Sequence, residues 1–130
     1  MRSGFWRYYL PALLWLAAIF VSSSIPSVDL PHIGIWNADK LIHFGVYFLL
    51  AVVVDRAVRH QTRFPAVKRH HLLFTIVLTV LYGLSDEFHQ FFVPGRDPSL
   101  LDLLADAGGA VLFILLFLLL RQRSVLHRST

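Results

Sequence analysis

The sequence contains no cysteine, and this absence removes a thiolate from the candidate catalytic nucleophiles. Two motifs of hydrolytic enzymes are missing as well. There is no GxSxG nucleophile elbow, and the run DEFHQ at residues 86–90 lacks the spacing of an HExxH zinc site. Any catalytic activity would therefore have to depend on residues outside these motifs.

The chain also lacks an internal repeat, a low-complexity tract and a second domain. Its 130 residues are 56% hydrophobic and have a mean hydropathy of +0.62. A chain of this length is too short for a soluble domain plus several membrane spans. We therefore interpret residues 1–130 as one integral membrane domain.

Four stretches are long and apolar enough to cross a bilayer core, which takes about 20 helical residues. The sequence thus predicts an all-α fold, a bundle of four transmembrane helices. The first stretch could instead be a secretory signal, but its apolar run is longer than a signal core of about 7 to 15 residues, so we expect it to remain in the bundle. The four predicted spans are residues 5–21, 39–58, 71–93 and 99–120.

Acidic residues are scarce on one side of this arrangement. With four spans, Asp55 is the only acid on the side that holds both chain ends and the middle loop, whereas ten of the twelve Lys and Arg residues lie there. Only Lys40 and Arg96 lie on the other side. Because basic loops stay in the cytoplasm, we predict that both termini are cytoplasmic and that the acids face outward. The basic charge then indicates contact with anionic lipids and no nucleic-acid binding.

Two loops complete the predicted bundle. The outer loop, residues 23–38, carries prolines and Trp36, so we expect it to fold onto the interface, where it could act as a lid. The inner loop is basic, and we expect His60, His70 and His71 around it to be solvated or interfacial.

Helical geometry predicts which polar side chains meet, because residues three and four apart share a face. At a rise of about 1.5 Å per residue, one polar group in each of three spans lies about 10 Å below the outer helix ends. Those groups are His43, Asp86 and Asp106. The polar rows are Asp39, His43 and Tyr47 in the second span; Tyr82, Ser85, Asp86, His89 and Gln90 in the third, with Glu87 about 100° away; and Ser99, Asp102, Asp106 and Gly109 in the fourth.

Some of these residues have a structural explanation. Asp39 near a helix start is favoured by the helix dipole, and Ser99 followed by Asp102 resembles a capping box. Gly83 and Gly109 are typical of close helix packing. For Asp39, Ser99 and Asp102, the structural role is an alternative to a role in ligand binding.

Three acids do not fit a capping role. Asp106 lies too deep in its helix, and Asp86 and Glu87 lie in a C-terminal half, where the dipole disfavours negative charge. Ionisable groups inside a membrane are costly and commonly functional. We therefore interpret Asp86 and Asp106 as functional, with partners among Lys40, His43, His89, Arg96 or water.

A set of residues spread over nearly the whole chain matches one known pattern. These residues are Ser22, Ser23 and Pro26 after the first span; Asp39, Lys40, His43, Phe44 and Tyr47 in the second; Asp86, Glu87, His89 and Gln90 in the third; and Pro94, Gly95, Arg96, Ser99, Asp102, Asp106 and Gly109 beyond it. In these residues the chain resembles the VanZ-like membrane proteins. The resemblance implies a bacterial inner membrane and a link to teicoplanin, a lipidated glycopeptide, because the namesake is associated with low-level resistance to it.

Three functional hypotheses remain open. In the first, an outward pocket binds the headgroup of an envelope lipid, such as a lipid-linked wall precursor, or a lipidated glycopeptide, with Lys40 and Arg96 meeting phosphate or carboxylate. In the second, a membrane-embedded hydrolase or transferase acts on an envelope lipid. In the third, the polar network only fixes helix packing and the protein contacts a partner. The predicted binding residues are Asp39, Lys40, His43, Tyr47, Asp86, Glu87, His89, Gln90, Arg96, Ser99, Asp102 and Asp106.

The enzyme hypothesis names its own candidates. Asp86 or Glu87 could act as general base, His43 or His89 as acid, and Arg96 as the stabiliser of negative charge. The sequence indicates no cofactor. A divalent metal is a weaker alternative, because two histidines on different helices have no fixed ligand spacing. The candidate metal ligands are His43, Asp86, His89, Asp102 and Asp106.

Overall fold

The structure is a computed structural model that describes residues 4–26 and 38–126. Within these residues the chain is helical and contains no strand. Helix α1 begins with a π-helical turn, Phe5–Tyr9, and continues as the α-helix Leu10–Ser23. The other helices are α2 (Ala38–His60), α3 (Pro65–Arg69), α4 (His71–Gln90) and α5 (Leu100–Leu126).

The predicted bundle of four membrane-spanning helices is confirmed, because α1, α2, α4 and α5 are each long and apolar enough to cross a bilayer. The third span, α4, ends at Gln90, three residues earlier than predicted. A turn follows in which the backbone N–H of Arg96 donates to the oxygen of Val93 at 3.1 Å. Gly95 occupies the left-handed region at φ 74°, as the third residue of a type II turn after Pro94 requires.

The centre of the bundle is α2, which contacts the other three long helices. Its most extensive contact is with α5, and a glycine permits the close approach. A Cβ atom at Gly109 would overlap the backbone oxygen of Phe44 and would lie 2.7 Å from the nitrogen of Phe48. The expected packing role of Gly109 is therefore confirmed.

Helix α1 packs on the side of α2 away from α5, and two side chains attach it. The indole N–H of Trp15 donates to the backbone oxygen of Val46 in α2 at 3.0 Å. The hydroxyl of Tyr82 in α4 donates to the backbone oxygen of Leu16 at 2.6 Å. In the structure, the first span therefore packs as part of the bundle.

The bundle is apolar outside and partly polar inside. Large apolar side chains such as Leu14, Phe88 and Leu100 are 60% to 72% exposed. By contrast, Asp55 and Asp106 are fully buried. This distribution suits a protein surrounded by hydrocarbon, in which ionisable groups turn inward. Most of the predicted lid, including Trp36, falls at residues 27–37, outside the described residues.

Candidate functional site

The predicted polar rows meet where α2 and α5 begin and α4 ends, and we name this the acidic end of the bundle. The Nδ1–H group of His43 donates to Oδ1 of Asp106 at 3.0 Å, joining α2 to α5. Glu87 of α4 lies beside this pair. One potential ligand atom from each of the three residues falls within 4.8 Å of the others. We name His43, Glu87 and Asp106 the central cluster.

Several polar atoms around the central cluster are buried without a hydrogen-bond partner among the described residues. These atoms are Oδ2 of Asp106, Oε1 of Glu87 and the hydroxyl of Tyr47. Asp106 is fully buried, and Tyr47 and Glu87 are 1% and 8% exposed. A buried polar group without a partner costs about 1 to 3 kcal/mol, so a hydrogen-bonding or charged ligand would be stabilised here.

Gly83 provides the space for this arrangement. A Cβ atom at Gly83 would lie 2.9 Å from Oδ2 of Asp106 and 3.3 Å from the ring of Tyr47. The sequence analysis explained Gly83 by helix packing alone. In the structure, this glycine also makes room for the unpaired carboxylate oxygen.

Lys40 is neutralised by two carboxylates at the mouth of the site. Its ammonium group lies 2.6 Å from Oδ1 of Asp102 in α5 and 2.7 Å from Oδ2 of Asp39. The Asp102 pair is largely buried, whereas the Asp39 side chain is 61% exposed. Lys40 thus ties the start of α2 to the start of α5.

The predicted capping box at the start of α5 is only half right. Ser99 caps the helix by accepting a hydrogen bond from the backbone N–H of Leu101 at 3.2 Å. However, the backbone N–H of Ser99 donates to Oε2 of Glu87 at 2.8 Å. Asp102 does not close the box because it pairs with Lys40. A neighbouring helix therefore supplies the reciprocal cap, which leaves only Oε1 of Glu87 free.

The side chains of the predicted polar face of α4 contact different parts of the bundle. Asp86 is buried and accepts a hydrogen bond from Gln90 at 3.1 Å. His89 turns toward α1, where its Nε2–H donates to the hydroxyl of Ser24 at 2.9 Å and its ring packs on Phe20. His89 is thus separate from the central cluster. The predicted metal set is accordingly changed, because the cluster that could hold a metal ion contains Glu87 and lacks Asp86, His89 and Asp102.

The remaining predicted residues of α4 and the turn also differ from expectation. Ser85 is exposed and bonds within its own helix. Arg96, expected above the polar cluster, instead donates to the backbone oxygens of Ser22 at 3.0 Å and Ile25 at 3.1 Å. The exposed carbonyls at the end of α1 attract it, because a helix C-terminus carries partial negative charge. Among the described residues, Arg96 pairs with no carboxylate.

A second polar cluster at the opposite end was missed. Asp55 is fully buried. Its Oδ2 lies 2.7 Å from Nε of Arg59, and its Oδ1 lies 2.5 Å from Nδ1 of His71. His71 is therefore not solvated, and the sequence analysis, which expected it to be solvated or interfacial, missed that it joins α4 to α2. The available signal was the isolation of Asp55 on the basic side together with Arg59 four residues later.

If all of them are ionised, the buried carboxylates of the acidic end outnumber the cationic groups beside them among the described residues. The four buried carboxylates are Asp86, Glu87, Asp102 and Asp106, and the nearby cationic groups are Lys40 and, when protonated, His43. Buried carboxylates are costly unless they are paired, neutralised or bound to a cation. The site is thus suited to a ligand that brings positive charge or hydrogen-bond donors.

These observations define a multi-pass membrane protein with a buried polar site at one end of a four-helix bundle. Comparison with known proteins supports this class and makes it specific. The sequence profile of the VanZ/LLP1 family matches residues 5–121, and the chain belongs to this family. The predicted VanZ-like resemblance is therefore confirmed.

One relative comes from a eukaryote. The uncharacterized protein C11E3.10 of the fission yeast Schizosaccharomyces pombe is 34% identical to the chain over 113 residues. The aligned region covers 82% of this chain and 64% of the relative, so the chain spans less than two thirds of the relative's length. No solved structure matches the chain.

Proposed function

We propose that this VanZ-like membrane protein binds the headgroup of an envelope lipid, or the corresponding part of a lipidated glycopeptide, at its acidic end. One observation carries the proposal: oxygens of Glu87, Asp106 and Tyr47 are buried at the central cluster without a hydrogen-bond partner among the described residues. By the helical rise, the central cluster lies about 10 Å inside the starts of α2 and α5, so a headgroup would reach it by entering the bundle from that end. We further propose that the acidic end faces outward, because the basic residues concentrate at the other end.

The favoured contact is with an amine or hydroxyl of the ligand. The sequence analysis expected Lys40 and Arg96 to bind phosphate, but Lys40 is neutralised by Asp39 and Asp102, and Arg96 is held by carbonyl groups. Ammonium and hydroxyl groups supply the donors that the unpaired oxygens lack. An amine-bearing phospholipid or amino sugar therefore fits better than a purely anionic headgroup.

The choice between lipid and glycopeptide depends on the family. A role in teicoplanin-type resistance rests on the namesake alone. A related protein occurs in a yeast, and an amine headgroup supplies the donors that the unpaired oxygens of the central cluster lack. We therefore favour an aminophospholipid and treat the glycopeptide as the competing ligand.

Native mass spectrometry of the purified full chain tests this proposal. The protein is offered phosphatidylethanolamine, phosphatidylglycerol of the same acyl chains, or teicoplanin. We expect a 1:1 complex with phosphatidylethanolamine that Asp106→Asn and Glu87→Gln weaken about tenfold or more, since each removes a charge-assisted hydrogen bond worth about 1.5 to 3 kcal/mol. Asp97→Asn is the matched control, because Asp97 is an exposed acid at the same end.

The outcomes separate the hypotheses. A phosphatidylethanolamine complex that Asp106→Asn and Glu87→Gln leave unchanged, or that Asp97→Asn weakens equally, would contradict a headgroup site. If the Asp106 and Glu87 variants only melt earlier and the wild type binds nothing, the cluster acts as a packing network. Binding of teicoplanin alone would show that the site accepts the glycopeptide and not a phospholipid.

A divalent cation is the second candidate ligand, and the geometry of the central cluster favours it. One imidazole and two carboxylates within 4.8 Å are a donor set that zinc or manganese accepts. A metal held by three protein ligands keeps a position for water, which would support the hydrolase or transferase hypothesis.

Metal analysis distinguishes this candidate from the lipid site. After dialysis against Zn²⁺ or Mn²⁺, elemental analysis of the wild type would find one metal ion per chain, and His43→Gln would lose it. The same content in the His43→Gln and wild-type proteins would exclude the central cluster as the metal site. Phosphatidylethanolamine binding that persists in EDTA would indicate that the carboxylate oxygens of the central cluster contact the lipid amine without a metal ion.

A further inference from the structure

An apolar cavity of about 480 Å³ opens between α1, α2 and α4, away from the acidic end. Its lining is almost entirely carbon. Phe5, Leu13 and Leu78 border it and are each about half exposed, so the cavity is accessible from the side of the bundle. Other lining residues are Tyr9, Val54 and Val58. A volume in this range holds a large part of a small ligand or an acyl chain.

A cluster of cationic side chains lies next to this cavity. The guanidinium groups of Arg7 and Arg56 each lie 5.5 Å from the ring centre of Tyr8. The ring of His60 stacks on the same tyrosine with its centre 3.7 Å away. Tyr8 directly precedes the cavity residue Tyr9, and Arg56 directly precedes the cavity residue Ala57, so the cations lie within one helical turn of the cavity lining.

The two arginines lack an acidic partner in the part of the chain that the structure describes. Asp55 is the only acid near them in sequence, and both of its oxygens are engaged by Arg59 and His71. Arg7 and Arg56 are exposed, so their guanidinium groups are free to meet an anion. A guanidinium group matches the geometry of a phosphate through two parallel hydrogen bonds.

We propose that this combined surface is a binding site for one anionic phospholipid. One acyl chain fills the cavity between α1, α2 and α4, and the lipid phosphate contacts Arg7 and Arg56. The charge argues for an anionic lipid, and the apolar cavity argues for a lipid over a soluble phosphate. Basic pockets between membrane helices bind anionic headgroups for the same reasons. The site is separate from the acidic end and does not depend on the function proposed there.

The headgroup contact is tested with a double variant, Arg7→Gln with Arg56→Gln. The full-length protein in neutral detergent is titrated with phosphatidylglycerol or phosphatidylcholine of identical acyl chains, and bound lipid is counted by native mass spectrometry. We expect the wild type to prefer phosphatidylglycerol and the double variant to lose about thirtyfold of that affinity. Arg121→Gln with Arg123→Gln is the matched control, because it removes the same charge from α5, which does not contact α1 among the described residues.

The cavity contact is tested separately with Ala12→Phe, which fills the space from α1. We expect this variant to lower the affinity for both lipids while it keeps the preference for phosphatidylglycerol. Ala17→Phe is the control, because Ala17 is exposed on the same helix and does not line the cavity. If Ala12→Phe does not fold, Ala57→Phe fills the cavity from α2.

Three results would overturn the proposal. One is an equal loss in the Arg121/Arg123 control, which would show a general charge effect. Another is unchanged lipid binding in both cavity-filling variants. The last is inorganic phosphate that competes fully with phosphatidylglycerol, which would show that the arginines bind a free anion and that the cavity is not part of the site.

Discussion

At the scale of single residues, two glycines on facing helices differ sharply in their surroundings. Gly109 of α5 touches the backbone of α2, whereas nothing lies within 4 Å of a Cβ atom at Gly45. Gly109→Ala would force the helices apart, and we expect it to lower the free energy of unfolding by about 1 to 3 kcal/mol. Gly45→Ala would leave stability unchanged or raise it, since alanine favours helix by about 1 kcal/mol. Thermal unfolding in detergent, followed by circular dichroism, measures both.

The outcome that contradicts this packing is equal stability of the two alanine variants. It would mean that α2 and α5 do not approach each other at Gly109. Larger residues extend the test, because Gly109→Val should be worse than Gly109→Ala, while Gly45→Val should cost only a helix-propensity difference.

Two threonines of α4 give a second prediction at this scale. Thr75 and Thr79 are fully buried, and their hydroxyl groups have no partner among the described residues. Replacing each by valine keeps a branched side chain of similar size and removes the unpaired hydroxyl. We expect Thr79→Val to keep or raise the melting temperature, because an unpaired buried hydroxyl costs about 1 to 3 kcal/mol. Thr79→Ala, the control, should lower it by leaving a void.

A lower melting temperature for Thr79→Val than for the wild type would show that the hydroxyl has a stabilising partner. In that case an ordered water would be the natural candidate, and the same comparison at Thr75 would show whether such partners continue along the helix.

The difference between Asp86 and Glu87 shows what the sequence could predict at the residue scale. The helical rise correctly placed His43 and Asp106 at one level, and they form a hydrogen bond. The spacing by three and four placed Glu87 off the polar face of α4. However, α4 is contacted by α1, α2 and α5, so more than one of its faces is buried. A pattern within one helix cannot identify which neighbour each face meets.

At the scale of elements, the cluster around Asp55 links three helices. Asp55 joins α2 to α4 through His71, and the rings of His71 and Phe117 of α5 pack edge to face. The guanidinium of Arg59 lies 5.0 Å from the same Phe117 ring. We expect Asp55→Asn to destabilise the bundle by about 3 kcal/mol, because it leaves buried partners without their counter-charge.

Asp39→Asn provides the matched comparison for Asp55→Asn. Asp39 also pairs with a cation, but its side chain is 61% exposed, so the change should cost less than about 1 kcal/mol. Chemical unfolding in mixed micelles gives both values. Equal losses in the free energy of unfolding would show that the buried ion pairs of Asp55 stabilise the bundle no more than the exposed pair of Asp39.

The helices themselves were predictable, and their partners were less so. The spans followed from apolar length alone, with ends within a few residues of the observed ones. Arg96 and His71 were misassigned because each lies at a helix boundary and bonds to a different element. Contacts of that kind depend on how helices pack, which hydropathy and periodicity do not specify.

At the scale of the whole molecule, the distribution of charge predicts the orientation in the membrane. The absence of cysteine makes this easy to test, because a single introduced cysteine has no background. Thr62→Cys lies in the loop after α2, and Asp97→Cys lies in the turn before α5; both positions are exposed. In intact cells, a membrane-impermeant maleimide should label Asp97→Cys and should reach Thr62→Cys only after permeabilisation.

The reverse pattern would place the acidic end in the cytoplasm, and the ligand of the central cluster would then have to come from the inner leaflet. Labelling of both positions from one side would contradict the four-span arrangement, because α4 separates them by one crossing.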